Sequence, residues 1–445
     1  MDLSDRKIPR RQFVKVAVAI GGASALSACQ EREPGQVSDS STATGADNTD
    51  PAHPQGPDEL ASLPERQFAW NEYLVRDASG NTVLPQHQVI LFLNYSVSGT
   101  PTRDERDEVD AAFRTLDRAF QRGTAGDQGA VINPGLLYTV GYSPSYFDRF
   151  DASLPAEAAV TPPADVLREV DEDPSVAESH DAVVVIAADK GSIVLGAEQA
   201  LRGELDRLNG VAVEGSLASV FEVAERRSGF IGRGLPADRI ENEEIPEEAP
   251  QAMGFKSGFK DNQATEDRVS IDEGPFADGT TQMVSRIQMD IDSWYDDSRT
   301  ERVHRMFSPI HNPDEVGAVG ENLAADSRIT SETADEVKAH VEEHGTVGHT
   351  QKVARARDDD FEPRILRRSE SNATDTGEEG VVALNFTSIQ RTMDAFVETR
   401  QAMHGDDLDV AEAHNGILEL LETASRATFL IPPRRHRALP TPRPS

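Results

Sequence analysis

The sequence predicts an α+β fold made of two similar halves. Short apolar segments typical of strands alternate along the chain with segments whose apolar residues recur at helical spacing. This order occurs once within residues 63–240 and again within 241–433, although the two stretches are not visibly repeated in sequence. Strand–helix–strand order within one compact unit favours helices packed on one face of a sheet. We therefore expect an N-terminal half over 63–240 and a C-terminal half over 241–433, related by duplication.

The N-terminal half contains three predicted strands and two predicted helices. The segment "QVILFLNYSV" (88–97) is a nearly continuous apolar run, which is typical of a buried strand. The helix predicted over 102–122 presents Val109, Ala112, Phe113, Leu116 and Phe120 at helical spacing. Strands are also predicted at 135–143 and 181–189, and the second of these precedes a helix through 195–210.

The C-terminal half repeats this pattern. One face of a half-buried strand at 281–291 carries Met283, Ile287, Met289 and Ile291. Asp292 or Ser293 is expected to cap a helix that runs through Trp294 and Val303. The other predicted elements are a strand at 380–389, helices at 390–404 and 409–422, and a last strand at 427–433.

The N-terminus has the pattern of an export signal. Arg10 and Arg11 precede an apolar run, Val14 to Leu26, that is too short to span a bilayer. The paired arginines resemble a twin-arginine (Tat) signal, which exports folded proteins, and "LSAC" resembles a lipobox ending at Cys29. Residues 1–28 are therefore predicted to be a signal peptide, and Cys29 the lipidated residue that anchors the protein on the outer face of the cytoplasmic membrane. The alternative is an incidental cysteine in the signal.

The two ends of the mature chain are predicted to lack structure. Residues 29–62 are rich in Ser, Thr, Asp, Gly and Pro, as expected of a disordered tether. Residues 434–445, "RRHRALPTPRPS", form a basic, proline-rich segment that is predicted to be a disordered tail. Cys29 is the only cysteine, which excludes a disulfide framework and thiolate catalysis.

The charge of the chain is strongly negative. It has 78 acidic and 44 basic residues, a net charge of −34, and only seven of the basic residues are lysine. Such a surface is typical of a halophilic protein, whereas the alternative, a disordered acidic chain, is disfavoured by the periodic apolar segments. Nucleic acid is excluded as a partner because its phosphates would be repelled.

The segment "MGFKSGFKDNQ" (253–263) has neither helical nor strand periodicity. Its glycines allow close approach of the backbone, and Asp261 follows the second Gly-Phe-Lys. One interpretation places the Asp261 carboxylate in a cavity; the alternative is an Asx-turn that caps a neighbouring amide.

Three histidines lie between residues 340 and 349. His340 and His344 are one helical turn apart and are interpreted as a solvated helix face rather than a metal pair. His349 follows two glycines, beyond that helix, where it can face a pocket. A histidine, an aspartate and several arginines are the components of a haem site that cleaves peroxide.

Five segments in order resemble the dye-decolourising peroxidase family, and the likeness runs from about residue 67 to 433. These segments are "TVGYSPSYFDRF" (139–150), "GFKDN" (258–262), "VSRIQMDIDSW" (284–294), "GHTQKVARARDDDFEPRILRRSE" (348–370) and "ATFLIPP" (427–433). The resemblance implies a pair of ferredoxin-like halves, antiparallel sheets with helices packed on them, of the dimeric α+β barrel type. It also implies one haem b between the halves. The chain departs from the family where Asn262 replaces a signature glycine and where "ARAR" and "RRS" replace "N-P-R" and "RRG".

The resemblance also assigns roles to individual residues. His349 corresponds to the haem iron ligand, Asp261 to the catalytic acid–base residue, and Arg367 to the catalytic arginine. Further cofactor contacts are implied for Arg286, as a partner of a haem propionate, for Glu419, as a hydrogen-bond partner of the ligating imidazole, and for the loop residues Gly258 and Phe259.

The implied activity is that of an exported haem peroxidase that reduces hydrogen peroxide with electrons from an organic or other donor. One alternative is a haem- or iron-handling lipoprotein, deferrochelatase-like or without turnover, on the same fold. Another is an interaction protein without haem. The expected partners are peroxide and a reducing substrate, with a membrane anchor at Cys29 and association into a homo-oligomer.

Overall fold

The structure, a computed structural model, describes residues 51–256, 258–372 and 381–444. They belong to one compact unit, Asp50–Ser445. The predicted signal peptide, Cys29 and the first part of the predicted tether lie outside the described residues. No helix in the described ranges is long and apolar enough to cross a membrane.

The described chain alternates strands and helices. The strands are β1 (Val75–Arg76), β2 (Thr82–Val83), β3 (His87–Tyr95), β4 (Leu137–Tyr142), β5 (Ala182–Ala188), β6 (Arg207–Leu208), β7 (Val211–Ala212), β8 (Phe221–Phe230), β9 (Thr280–Asp290), β10 (Leu366–Arg367), β11 (Glu370–Asn372), β12 (Val381–Gln390) and β13 (Leu421–Ile431). The helices are α1 (Arg103–Ala119), α2 (Pro144–Phe147), α3 (Pro163–Glu169), α4 (Gly191–Leu201), α5 (Leu235–Arg239), α6 (Ile291–Asp296), α7 (Arg299–Met306), α8 (Pro313–Val316), α9 (Ser331–Asp335), α10 (Val337–His344), α11 (His349–Arg355) and α12 (Met393–His404).

Eight of these strands form a closed antiparallel ring. Neighbours pair in the order β12, β11, β8, β3, β5, β4, β13 and β9, and β9 then pairs with β12 from Val381↔Asp290 to Gln390↔Thr281. Strand β10 pairs with Ser388 and Ile389 of β12, on the same edge as β11 and beyond its end. Strands β3, β4, β5 and β8 come from the first half of the chain, and the other four come from the second. The expected fold class, α+β with antiparallel sheets and helices packed on them, is confirmed.

Alternate residues of each strand face opposite sides of this ring. The inner side is filled by a cluster drawn from both halves, which includes Ile90, Phe92, Val185, Val284 and Phe429. On the outer side, helices α1 and α4 cover the first half, and the apolar face predicted for 102–122 packs there. Closure of the ring leaves no free edge among these eight strands.

Several predicted elements differ from the structure. The helix expected through 195–210 ends at Leu201, because Gly203 adopts a φ of +71° that terminates the helix. The helix expected at 409–422 is replaced by two 3-10 turns and by the start of β13 at Leu421. The helix through Trp294 and Val303 is divided into α6 and α7, and its cap is Asp290, whose side chain accepts a hydrogen bond from the Ser293 amide at 2.9 Å. Strand β8 was not predicted at all.

The predicted disorder at the two ends of the body is also wrong where the structure describes it. The Gly56 amide donates to the carbonyl of Arg118 at 3.0 Å, so the last part of the supposed tether packs on α1. In the tail, Arg437 is buried and forms an ion pair with buried Asp117 at 2.7 Å. Leu439 is fully buried in the main core. These contacts hold the proline-rich segment on the folded body, and composition alone does not reveal them.

We expect Arg437→Ala to lower the free energy of unfolding by about 3 to 5 kcal/mol, because it leaves the Asp117 carboxylate buried without its cation. Urea unfolding at pH 7 and fixed salt measures the change. Arg443→Ala, on an exposed residue of the same segment, is the control and should leave the free energy of unfolding unchanged. Equal stability of the two variants would show that the tail is not part of the folded body.

Candidate functional site

A cavity of about 510 Å³ lies on the outer side of the ring and is lined by residues from both halves of the chain. One wall is apolar and consists of Ile287 and Met289 from β9 and Leu384 and Phe386 from β12. The remaining walls come mainly from helices α11 and α12, from the segments 250–263, 363–369 and 417–426, and from residues of the first half within 71–86, 131–132, 189 and 231–233. The volume lies within the range of small-molecule and cofactor sites.

His349 begins helix α11 and lines the cavity. Its Nδ1 atom is buried and makes no hydrogen bond within the described residues. Burial, together with the charges of Arg367 and Lys352, lowers the pKa of His349 to about 3. The imidazole is therefore neutral at physiological pH, which is the form that ligates a metal. The residue before His349 must be a glycine, since a Cβ at position 348 would lie 2.0 Å from the Phe307 carbonyl oxygen.

Two arginines line the cavity without a salt bridge among the described residues. The Arg367 side chain has no hydrogen-bond or ion-pair partner there, and burial lowers its pKa. Arg357 donates only to backbone carbonyls, of Phe361 at 3.1 Å and of Asp261 at 2.6 Å. A buried guanidinium without an anion is costly. Both side chains are therefore available to an anionic group in the cavity.

Most other cavity arginines are already paired. Arg364 pairs with Glu398 at 2.6 Å, and Arg368 pairs with Glu266 at 2.9 Å. Arg400 and Arg426 share Glu172, each at 2.6 Å. The free positive charge is thus restricted mainly to Arg357 and Arg367.

The structure contradicts the expectation that Asp261 faces the cavity. Asp261 has a φ of +61° and an exposed side chain, and it does not line the cavity. The left-handed backbone at this position turns the next side chain inward instead. Asn262 is 7% exposed, lines the cavity, and has a buried Oδ1 atom without a hydrogen-bond partner. Gly258 and Phe259 of the same loop do line the cavity.

Arg286 is also placed away from the cavity. It lies on β9 between Ser285 and Ile287, and its cross-strand partners are Asn385 and Ser425. Since Ile287 and Met289 form the cavity wall, alternation turns Arg286 to the inner side of the ring. The expectation that it binds a haem propionate is therefore wrong.

Glu419 does not bind the imidazole of His349. Its carboxylate accepts a hydrogen bond from Arg305 at 2.6 Å, and Arg305 also donates to the Gly416 carbonyl at 2.8 Å. Lys352, one turn after His349, donates to the carbonyl and side chain of Asn415 at 2.9 and 2.8 Å. Arg305 and Lys352 thus fix the loop at Gly416, which approaches the backbone of His349 closely.

Sequence analysis missed Asn262, Arg357 and Lys352. A sequence signal for Asn262 was present, since it replaces a glycine of the family signature. Helical spacing also placed Lys352 near His349. Arg357 had no distinguishing sequence signal among its neighbouring arginines.

His340 and His344 lie on α10 outside the cavity. The Nδ1 atom of His340 lies 3.1 Å from the side-chain nitrogen Nε2 of Gln351.

A second group of possible metal ligands lies within the described chain. Oxygen and nitrogen atoms of Glu178, His180 and Glu225 lie within 4.8 Å of one another. Arg227 forms ion pairs with Glu178 at 2.6 Å and with Glu225 at 2.7 Å. The guanidinium already neutralises these carboxylates, and we assign no metal to this cluster.

Solved structures with the same fold are those of dye-decolourising peroxidases. The chain is similar to the DyP-type peroxidase from Cellulomonas bogoriensis, with a TM-score of 0.51 and 19% identity over 82% of this chain and 95% of that one. It is also similar to a putative DyP-type peroxidase from Shewanella oneidensis (TM-score 0.48, 15% identity, 80% and 94% covered). A third is a dye-decolorizing protein from V. cholerae (0.46, 12%, 83% and 98%).

The sequence itself matches one family model. Residues 85–433 match the model of DUF7405, a family of unknown function, and the chain belongs to that family. No curated protein matches the sequence.

Glu172 is expected to stabilise the wall of the cavity in a pH-dependent way. Burial opposes ionisation of its carboxyl, but the contacts with Arg426 and Arg400 outweigh it and lower its pKa to about 2. Because the pKa of Glu172 is lower in the folded state than in the unfolded state, its ionised carboxylate stabilises the fold above pH 4.5. This stabilisation is lost as the pH falls through about 2. We expect Glu172→Gln to cost about 3 kcal/mol at pH 7 and progressively less below pH 4.5.

Urea unfolding of both proteins between pH 7 and pH 2.5 measures this difference. Glu362→Gln, at an exposed position, is the matched control and should follow the wild type throughout. A difference between wild type and Glu172→Gln that stays constant with pH would contradict the account.

Proposed function

We propose that this protein is a haem-dependent peroxidase that reduces hydrogen peroxide at the cavity beside His349. The observation that supports this function best is a neutral imidazole with an unpartnered nitrogen in the same cavity as two arginines without salt bridges. The shared fold of the Cellulomonas bogoriensis DyP-type peroxidase supports the proposal at the level of architecture.

The residues of the cavity fit haem b in three respects. His349 offers an uncharged nitrogen ligand for iron. Arg357 and Arg367 offer free guanidinium groups for anions, and bidentate hydrogen bonds to carboxylates are their preferred contacts. Ile287, Met289, Leu384 and Phe386 offer an apolar wall against which a macrocycle would pack. His349 and Arg357 would hold the group, and haem iron when bound would supply the electrons that cleave the O–O bond.

Within this proposal, Arg367 is the residue that acts on peroxide. Its charge in a buried site stabilises negative charge that develops on a peroxide oxygen. Asn262 lies nearby, because the adjacent Gln263 accepts a hydrogen bond from the Arg367 amide at 2.9 Å. The Asn262 amide can orient peroxide by hydrogen bonds, but it cannot take up a proton as a carboxylate does.

The outward position of Asp261 favours one alternative, a haem- or iron-handling protein with little turnover. Asp189 is the only carboxylate residue that lines the cavity within the described chain. Its two oxygens accept hydrogen bonds from the amides of Gln86 and Asn133 at 3.0 and 2.5 Å. A cavity without a free general acid is suited to holding haem and would cleave peroxide more slowly than one that has an acid.

The proposed location is the outer face of the cytoplasmic membrane, after twin-arginine export and lipidation of Cys29. This proposal, like those of a halophilic source and a homo-oligomer, is supported by the sequence alone. If Cys29→Ala left the protein in the membrane fraction, lipid anchoring at that residue would be wrong.

His349→Ala is expected to abolish haem retention, since a methyl group cannot ligate iron. His340→Ala and His344→Ala are the controls, and both should retain haem because these side chains lie outside the cavity. Haem content and the Soret band of the purified proteins decide the assignment. Loss of haem in either control, with His349→Ala unaffected, would move the ligand to α10.

Arg367→Leu should slow the reaction with peroxide by about 10²- to 10³-fold, because a charged donor to a developing oxyanion is lost. Asp261→Asn should leave that rate unchanged, since the carboxylate is exposed and points away from the cavity. Stopped-flow mixing with peroxide measures both rates, and the ferric spectrum verifies that haem is retained. A large defect in Asp261→Asn with a normal Arg367→Leu would reverse these roles.

A further inference from the structure

A second cavity, of about 20 Å³, lies where the C-terminal segment packs on helix α1. Its lining combines residues of the segment 63–67, the end of α1, Arg122, the approach to β4, and Arg434 and Arg437 of the C-terminal segment. A cavity of about 10 to 15 Å³ holds one water molecule. This cavity therefore admits one monatomic ion or one water molecule, and it excludes larger anions such as phosphate.

The charges around this small cavity do not balance. Its lining contains Arg122, Arg434 and Arg437 but only one acidic residue, Asp117. The Asp117 carboxylate pairs with Arg437 at 2.7 Å. Arg434 lies 3.5 Å from the carboxylate of Glu65, outside the lining. Arg122 has no ion pair within the described residues, so one positive charge is left without a counterion.

Arg122 is held in place by backbone groups alone. Its Nη2 atom donates to the carbonyls of Gln67 and Ala69 at 2.8 and 2.9 Å. Its Nε atom is buried and has no hydrogen-bond partner in the described part of the chain. Burial lowers the pKa of Arg122, although the charge of Asp117 opposes this shift. A buried guanidinium without an anion is costly, and the Nε–H group is a donor without an acceptor.

Arg437 supplies a second free donor to the same cavity. Its two terminal nitrogens donate to the Tyr138 hydroxyl and to the Asp117 carboxylate, each at 2.7 Å, but its buried Nε atom has no partner among the described residues. The acceptors of the lining are already engaged. The Tyr138 hydroxyl donates to the other oxygen of Asp117 at 2.7 Å, and the side-chain oxygen of Gln67 accepts from the Val140 amide at 3.0 Å. The lining thus has two N–H donors without matching acceptors.

We propose that this cavity binds one halide ion, chloride under physiological conditions, and that the Nε–H groups of Arg122 and Arg437 donate to it. A halide accepts hydrogen bonds and carries the single negative charge that the lining lacks. A water molecule also accepts two hydrogen bonds, but it brings no charge and needs acceptors for its own two protons. The site is independent of haem and of the proposed peroxidase function.

A bound halide would connect parts of the chain that are distant in sequence. Arg122 follows α1 in the first half, whereas Arg437 belongs to the C-terminal segment. An ion held between them adds a contact between this segment and the folded body. Because an ion that binds only the folded state stabilises it, the protein is expected to gain stability from chloride itself and not only from ionic strength.

The occupant is tested directly by diffraction from crystals of the wild-type protein in sodium bromide, with data collected at the bromine absorption edge. We expect an anomalous peak in the small cavity, next to the Nε atoms of Arg122 and Arg437. Density in the cavity without an anomalous signal would identify a water molecule and overturn the proposal. This result does not depend on the folding of any variant.

Thermal unfolding tests whether the ion binds in solution. The sodium concentration is held constant while gluconate, which is too large for the cavity, is replaced by chloride. The Tm of the wild type should rise with chloride, and this rise should be lost in Arg122→Met. The chloride dependence is compared within each protein, because Arg122→Met also loses two hydrogen bonds to carbonyls and has a lower Tm throughout.

Arg114→Met, at an exposed position on α1, is the matched control and should keep the chloride dependence of the wild type. General effects of the two anions act equally on both variants and therefore cancel in this comparison. An equal chloride dependence in Arg122→Met and Arg114→Met would overturn the site. A bromide peak in the crystal without any chloride-specific rise of Tm in the wild type would indicate an adventitious ion only, and would also overturn it.

Discussion

The alternation of side chains along β9 and β12 is the constraint on which the rest of the site depends. Because the strands close into a ring, one set of residues faces the packed interior and the other faces the cavity. Ile287, Met289, Leu384 and Phe386 fall on the cavity side and provide its apolar wall. A shift of β9 by one residue within the ring would replace Ile287 and Met289 in this wall by polar residues such as Arg286.

The cavity also depends on an unequal distribution of charge. Carboxylates outnumber basic groups over the whole chain, and they neutralise most of the arginines around the cavity, as Glu172 does for Arg400 and Arg426. Arg357 and Arg367 are left without such partners. The same positive surroundings, added to burial, keep His349 uncharged. Metal ligation and anion binding are therefore compatible in one site.

Much of the fold could be predicted from the sequence because its strands carry long apolar runs. Strand β8 could not, since the charged residues Glu225 and Arg227 occupy the inner side of the ring, where Arg227 pairs with Glu225 and with Glu178. The packing of residues 434–444 on the folded body could not be predicted either, because burial of Arg437 depends on Asp117, about three hundred residues away in the chain.

The candidate site was predictable only in part. The position of His349 after two glycines and the context of Arg367 pointed to residues that do line the cavity. Likeness of motif assigned roles to Asp261, Arg286 and Glu419, but local structure turns each of them elsewhere. A positive φ turns Asp261 outward, and strand alternation turns Arg286 to the inner side of the ring. Glu419 forms an ion pair with Arg305 instead. Sequence motifs locate the loop or strand that borders a site, but the backbone decides which of its side chains enters.

Titration of haem into the haem-free protein, followed by its absorption spectrum, tests the central claim most directly. The account predicts saturation at one haem per chain, with a Soret band typical of an imidazole-ligated iron. Binding without saturation, or a spectrum that remains that of free haem, would contradict the assignment of this cavity as a haem site.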